Sequence, residues 1–137
     1  MVDASVVAKW LLPEEGDAAA LSLQQRYYRV ELELLAPRLL IAEVGSALSK
    51  RVRRGQLSRE AAAVCFDRLL VYAPILVESA AVDTAAFHLA LAHRAAVYDC
   101  LYLALALEQQ CDLITADERF ARSLGPAFPG IRLLREF

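Results

Sequence analysis

The stretch from residue 95 to 107, AAVYDCLYLALAL, is apolar on every side of a helical projection except at Asp99. A helix with one apolar stripe lies on a surface, whereas one that is apolar all round must be covered all round. The rest of the chain therefore has to pack against it from several directions, and an acid inside it needs a reason. Asp112-Leu113-Ile114-Thr115 then reads as a short buried strand. Asp117 falls just past its carboxyl end, where open α/β sheets bind ligands. Asp99 and Asp117 are expected on one rim.

Before this stretch the chain alternates. Met1-Val2 leads into Asp3, which would end a first strand, and Val6, Val7, Trp10, Leu11 and Leu12 are spaced for a buried helix closed by Pro13. A second helix is expected over Asp17 to Arg29, after the Pro-Glu-Glu-Gly break, and a short strand over Leu32 to Ala36. Pro37 suits the first position of a helix running to Arg54 and stopped by Gly55. Ser58 is placed to cap a helix through Tyr72, with Glu60 in its positive first turn, and Pro74 ends it. Ile75 to Glu78 is a further strand. Val82 to Arg94 reads as a helix with Ala85, Ala86, Leu89 and Ala92 inward. After Asp117, a helix over Glu118 to about Leu124 ends in Gly125-Pro126, and Ile131 to Leu134 is the last strand. Strands alternating with helices imply a parallel sheet, because parallel neighbours need crossover connections. The expected fold is α/β in three layers (α/β/α), a central parallel sheet of about four to five strands flanked by helices.

The 137 residues make one domain, 1–137, and a 58% hydrophobic content is enough for a core. A mean hydropathy of +0.36 is high for so small a chain, which points to a homodimer or a covering partner. The apolar runs are too short to span a bilayer, and Asp3 and Lys9 interrupt any signal-peptide pattern, so no membrane partner and a cytoplasmic location are expected. Three cysteines without a CxxC spacing suggest neither disulfides nor a thiolate metal site. His88 and His93 stand five apart, on different helical faces, with no HExxH pattern around them. No glycine-rich phosphate loop is present.

Glu43 raises the same question as Asp99. On a helix its neighbours at three and four residues are Leu39, Leu40, Ser46 and Ala47, a largely apolar face. An unpaired carboxylate there costs several kcal/mol or becomes protonated, so it should have a cation as partner. The chain has only two lysines, Lys9 and Lys50, and its arginines fall mostly where helices meet water. One divalent ion would satisfy Asp3, Glu43, Asp99 and Asp117 together, whereas four such acids alone repel one another. All-oxygen ligation suits Mg²⁺ or Mn²⁺, which keep waters and bind phosphates. Ser5 and Thr115 could position water or phosphate by hydrogen bonding. Each acid also has a plainer reading: Asp3 as a helix cap, Asp99 as a first-turn acid, Asp117 as part of a capping box in Thr115-Ala116-Asp117-Glu118. The formal charge is −2. Without the four acids it becomes +2, with a basic run Lys50-Arg51-Val52-Arg53-Arg54, so Lys9, Lys50, Arg51 and Arg54 are candidate contacts for RNA phosphates.

Four motifs in order resemble the PIN-domain ribonucleases, in particular VapC-like toxins of toxin–antitoxin pairs. They are Asp3-Ala4-Ser5-Val6-Val7-Ala8-Lys9-Trp10-Leu11-Leu12-Pro13-Glu14, then Glu43-Val44 with Ala47-Leu48, then Tyr98-Asp99-Cys100-Leu101-Tyr102-Leu103-Ala104-Leu105-Ala106, then Thr115-Ala116-Asp117-Glu118-Arg119-Phe120. The resemblance spans nearly the whole chain. It implies a Mg²⁺- or Mn²⁺-dependent endoribonuclease whose acidic quartet is Asp3, Glu43, Asp99 and Asp117, with Thr115 as the hydroxyl residue near the last acid. It also implies a homodimer and a cognate antitoxin that covers the active-site groove. Three alternatives stay open at this point: a PIN nuclease of RNA processing without an antitoxin, a non-catalytic α/β binding module, and a receiver-like phosphoacceptor. The last is disfavoured by Asp3-Ala4-Ser5 in place of adjacent acids and by the lack of any lysine beyond Lys50.

Overall fold

The computed structural model describes residues 1–12 and 17–137, so the expected break at Pro13 to Gly16, with Glu14 of the first motif, lies outside the described residues. Helices dominate: α1 (Ala4–Leu11), α2 (Ala18–Tyr28), α3 (Leu39–Arg53), α4 (Arg59–Tyr72), α5 (Ala80–His93), α6 (Val97–Glu108) and α7 (Glu118–Leu124), with a 3-10 turn at Leu134–Glu136. Their starts are set by local chemistry. Asp3, Ser58, Ser79 and Asp117 each accept a hydrogen bond from a first-turn N–H, answering donors that the helix itself leaves unpaired. Gly55 follows the end of α3 with φ +68°, the left-handed conformation that glycine adopts without penalty.

The strands are short. β1 (Leu35–Pro37) pairs in parallel with β2 (Ile75–Val77), and β3 (Leu113–Thr115) in parallel with β4 (Ile131–Leu133). Met1 to Asp3 join the two pairs. The Val2 N–H donates to the Leu35 carbonyl at 3.0 Å, the Asp3 N–H to the Ile114 carbonyl at 3.2 Å, and the Ile114 N–H to the Met1 carbonyl at 2.9 Å. The expected first strand is thus reduced to one parallel bridge, Val2 to Ile114, too short to be a strand of its own. The order across the sheet is β2, β1, residues 1–3, β3, β4. The chain starts in the middle, builds outward through β1 and β2, then reverses to build through β3 and β4, so the switch in strand order lies between residues 1–3 and β3.

β3 is buried at all three residues, covered on both faces. In α6, Cys100 and the five consecutive residues Tyr102 to Ala106 are buried, which fits a helix packed from all sides. Its first turn departs from that expectation. Val97, Tyr98 and Asp99 are exposed, because the helix begins beyond the carboxyl edge of the sheet where no element covers it. Two further boundaries differ. Pro37 ends β1 instead of opening α3: it stays in register with Val77, and the next N–H, that of Arg38, still donates to the Val77 carbonyl. The inward face of α5 is Val82, Ala86 and Ala90: of the expected residues Ala86 is buried and Leu89 partly so, whereas Ala85 and Ala92 are exposed. The small residues at that four-residue spacing let α5 lie close to α6, to which it turns through 118°. α3 and α4 also approach closely, since a Cβ on Gly45 would meet the Phe66 ring at 3.1 Å. Among the described residues no single helix is long and apolar enough to cross a membrane.

Candidate active site

At the switch in strand order, four elements each contribute a carboxylate to one cleft of about 140 Å³. Asp3 comes from the turn before α1, Glu43 from α3, Asp99 from the first turn of α6 and Asp117 from the turn after β3. Ala4, Ser5, Tyr102 and Phe120 complete the lining, in which no Lys, Arg or His takes part among the described residues.

The carboxylates are held unequally. Asp3 accepts through Oδ1 from the Ser5 hydroxyl at 2.6 Å and the Val6 N–H at 3.1 Å, and through Oδ2 from the Thr115 hydroxyl at 2.5 Å. Ser5 and Thr115 are themselves fixed from behind, accepting from the N–H groups of Ala116 and Asp117 at 2.8 and 2.9 Å. Burial still raises the Asp3 pKa above its ordinary range against these donors. Glu43 flanks the buried stripe of α3, Leu40, Val44 and Leu48. Within the chain its hydrogen-bond partner is a neutral donor, the Tyr102 hydroxyl, 2.5 Å from Oε2. Burial raises the Glu43 pKa, and the negative charges of Asp3 and Asp99 add to it. Tyr102 is 3% exposed, and burial together with the Glu43 carboxylate pushes its hydroxyl far up, so it stays a donor. Asp117 Oδ1 accepts from the Arg119 and Phe120 N–H groups at 2.7 and 3.1 Å, the expected capping role, while the residue also lines the cleft. Asp99 accepts no hydrogen bond among the described residues. Loss of water around its carboxyl, followed by the Asp117 charge, raises its pKa.

A hard divalent cation matches this donor set in kind: all oxygen, four formal negative charges, raised carboxyl pKa values and an enclosure with room for part of a water shell. As placed, no group of three or more His, Cys, Asp or Glu among the described residues stands close enough to ligate one metal ion directly. The carboxylates therefore face one cleft at an open spacing.

The basic candidates divide. Lys9 forms an ion pair with Asp17 at 2.5 Å, and Asp17 is only 7% exposed. Lys9 and Arg51 line a pocket of about 210 Å³ that shares Ser5 with the acidic cleft. Lys50 and Arg54 are exposed at the carboxyl end of α3, where they suit the helix dipole, about 10 Å along the axis from Glu43 in the case of Lys50. His88 and His93 are exposed, and His93 meets the Phe128 ring edge-on at 5.1 Å between centroids. The three cysteines are free.

Two residues escaped the sequence reading. Tyr102 lies three positions after Asp99, hence on the same face of α6, and that spacing was a usable signal. Nothing comparable marks the buried Asp17, which lies across the 13–16 break from the lysine that it pairs with.

The PIN domain family model matches residues 1–123. Ribonuclease VapC3 of Pyrobaculum aerophilum is 36% identical over 133 residues, covering 96% of this chain and 95% of that protein. Ribonuclease VapC1 of Mycobacterium tuberculosis is 36% identical over 97 residues, 66% of this chain and 67% of that one. Among solved structures, that of PAE2754 from Pyrobaculum aerophilum superposes with a TM-score of 0.70 at 24% identity, over 98% of this chain and 90% of that one, a likeness of fold. With the family model spanning all four acids and a relative aligned over almost its full length, the chain belongs to the PIN-domain family and is similar to the VapC ribonucleases.

Proposed function

We propose that the chain, as one domain over 1–137, is a metal-dependent endoribonuclease of the cytoplasm that hydrolyses RNA phosphodiester bonds as the toxin of a toxin–antitoxin pair. The observation that carries this is the meeting of Asp3, Glu43, Asp99 and Asp117, from four separate elements, in one cleft at the switch point of a parallel sheet. The similarity to proteins named ribonuclease VapC supports RNA as the substrate class, and with it the reading of an antitoxin as partner.

Asp3, Glu43, Asp99 and Asp117 would hold Mg²⁺ or Mn²⁺. Such an ion polarises the phosphate and eases deprotonation of water at neutral pH. The chain's own groups do the rest. Ser5 and Thr115 keep both oxygens of Asp3 in place, and the α7 N–H groups do the same for Asp117 Oδ1. Asp99, which accepts no hydrogen bond among the described residues, would accept a proton from the water that adds to phosphorus as the bond to the leaving oxygen breaks. Lys9, Lys50, Arg51 and Arg54 would follow the RNA backbone outside the cleft, Lys9 and Arg51 nearest to it. The exposed apolar residues Phe87 and Leu91 on α5 and Val97 and Tyr98 on α6 support a homodimer or a covering partner.

Incubation of the purified protein with a structured RNA tests the reading. Cleavage is expected with Mg²⁺ or Mn²⁺ and not with EDTA; no cleavage under any divalent metal refutes it. A non-toxin PIN nuclease cleaves in the same assay, and growth arrest on expression, relieved by the product of a neighbouring small reading frame, separates the two.

A further inference from the structure

We infer that Tyr102 is a positioning residue for the metal site, one that sets the affinity for the ion by holding Glu43, an inference that rests on the proposed function. Three of the four carboxylates in the cleft are gripped by donors from the chain. For Asp3 and Asp117 those donors belong to their own turns or to the adjacent strand. Glu43 has nothing comparable on α3: its hydrogen-bond donor comes from another helix, 59 positions away, through the Tyr102 hydroxyl at 2.5 Å. That hydroxyl is buried, and the whole ring lies in packed surroundings with Phe120 as its neighbour in the cleft wall. The phenol therefore cannot swing away cheaply.

Two consequences follow from this geometry. With Oε2 engaged by the Tyr102 hydroxyl, the Glu43 side chain, which lines the cleft, is oriented before any cation arrives. A glutamate has three side-chain torsions to restrict, and a bond that restricts them beforehand removes that ordering cost from binding. Tyr102 also keeps Glu43 beside Asp99 although the two acids repel, because Asp99 and Tyr102 are one turn apart on α6 and the hydroxyl ties α3 to that turn. Groups that orient metal ligands in this manner typically change metal affinity by about 10–100-fold when removed.

The test is titration of the full chain with Mn²⁺ alone, followed by calorimetry or by the loss of the free-ion paramagnetic signal, for wild type and Tyr102→Phe. Phenylalanine keeps the ring and deletes only the donor. The expected result is a dissociation constant about 10-fold weaker for Tyr102→Phe, with a rise of the same size in the Mn²⁺ needed for half-maximal RNA cleavage and an unchanged KM for RNA at saturating metal. In a Glu43→Gln background, the same substitution should change Mn²⁺ affinity less than 2-fold. If Tyr102→Phe does not fold, Tyr102→Met, which also lacks the donor, takes its place with the same expectation. A folded variant without the hydroxyl that binds Mn²⁺ within 2-fold of wild type overturns the inference and leaves the nuclease reading standing. A wild type that binds no Mn²⁺ and cleaves no RNA overturns both.

Discussion

The two sides of the acidic cleft are built differently. On one side Asp3 and Glu43 are partly buried, each fixed by a hydroxyl from a distant part of the chain, and both are pushed toward their protonated forms. On the other side Asp99 and Asp117 are exposed, one with no hydrogen bond among the described residues and the other serving mainly as a helix cap. The buried side is tied into the fold by these hydroxyl donors. On the exposed side Asp99 contributes charge while contributing little to stability, and Asp117 also caps α7. Such a site holds Asp3 and Glu43 firmly and leaves Asp99, at the rim, to adapt.

The sharpest break in that comparison is Asp3→Ala. It removes the α1 cap, worth about 1 kcal/mol, and leaves the fully buried Thr115 hydroxyl without its acceptor, at about 1–3 kcal/mol more. Urea unfolding should show a loss of about 2–4 kcal/mol along with the loss of cleavage. Asp99→Asn should behave in the opposite manner: cleavage falls at least about 100-fold, the scale on which a lost electrostatic contact slows an enzyme, while stability stays within about 0.5 kcal/mol of wild type. A destabilisation as large as that of Asp3→Ala would erase the distinction between the two sides. Thr115→Val tests the link between them, since Thr115 donates to Asp3 and accepts from the Asp117 N–H. A loss of about 1–2 kcal/mol is expected on thermal unfolding, because the Asp117 amide loses its partner.

The smallest effect concerns pH. Glu43 has a folded pKa above its ordinary value of 4.5, so between the two values the folded state binds more protons than the unfolded one. Its ionisation therefore costs stability as pH rises through the folded pKa, and the cost vanishes once pH drops below 4.5. In EDTA, Glu43→Gln should be more stable relative to wild type at pH 8 than at pH 5. Denaturant midpoints at the two values show whether that gap narrows in the acid direction.

Much of this molecule was legible wherever one residue type answers a local need. Ser58, with its hydroxyl on the Ala61 N–H, and Gly55, with its positive φ, were marked by the chemistry of helix ends. The buried middle of α6 followed from a helix without a polar face. Pairings across long separations were not legible. The apolar face around Glu43 announced a partner but not its kind, because the donor sits on α6 and only packing brings it near. The pairing of Lys9 with Asp17 has no local spacing to announce it. Along α5 a run of alanines gives almost no contrast between sides, so the expected face shares only Ala86, and in part Leu89, with the buried one. The expected first strand is a single bridge at Val2, followed at once by the α1 cap at Asp3.

The central claim is that these four acids share a cation. Crystals soaked in Mn²⁺ and measured for anomalous scattering address it without intermediaries. A peak inside the cleft, bounded by Asp3, Glu43, Asp99 and Asp117, is the predicted result. An empty cleft, or a peak elsewhere on the chain, would contradict the claim.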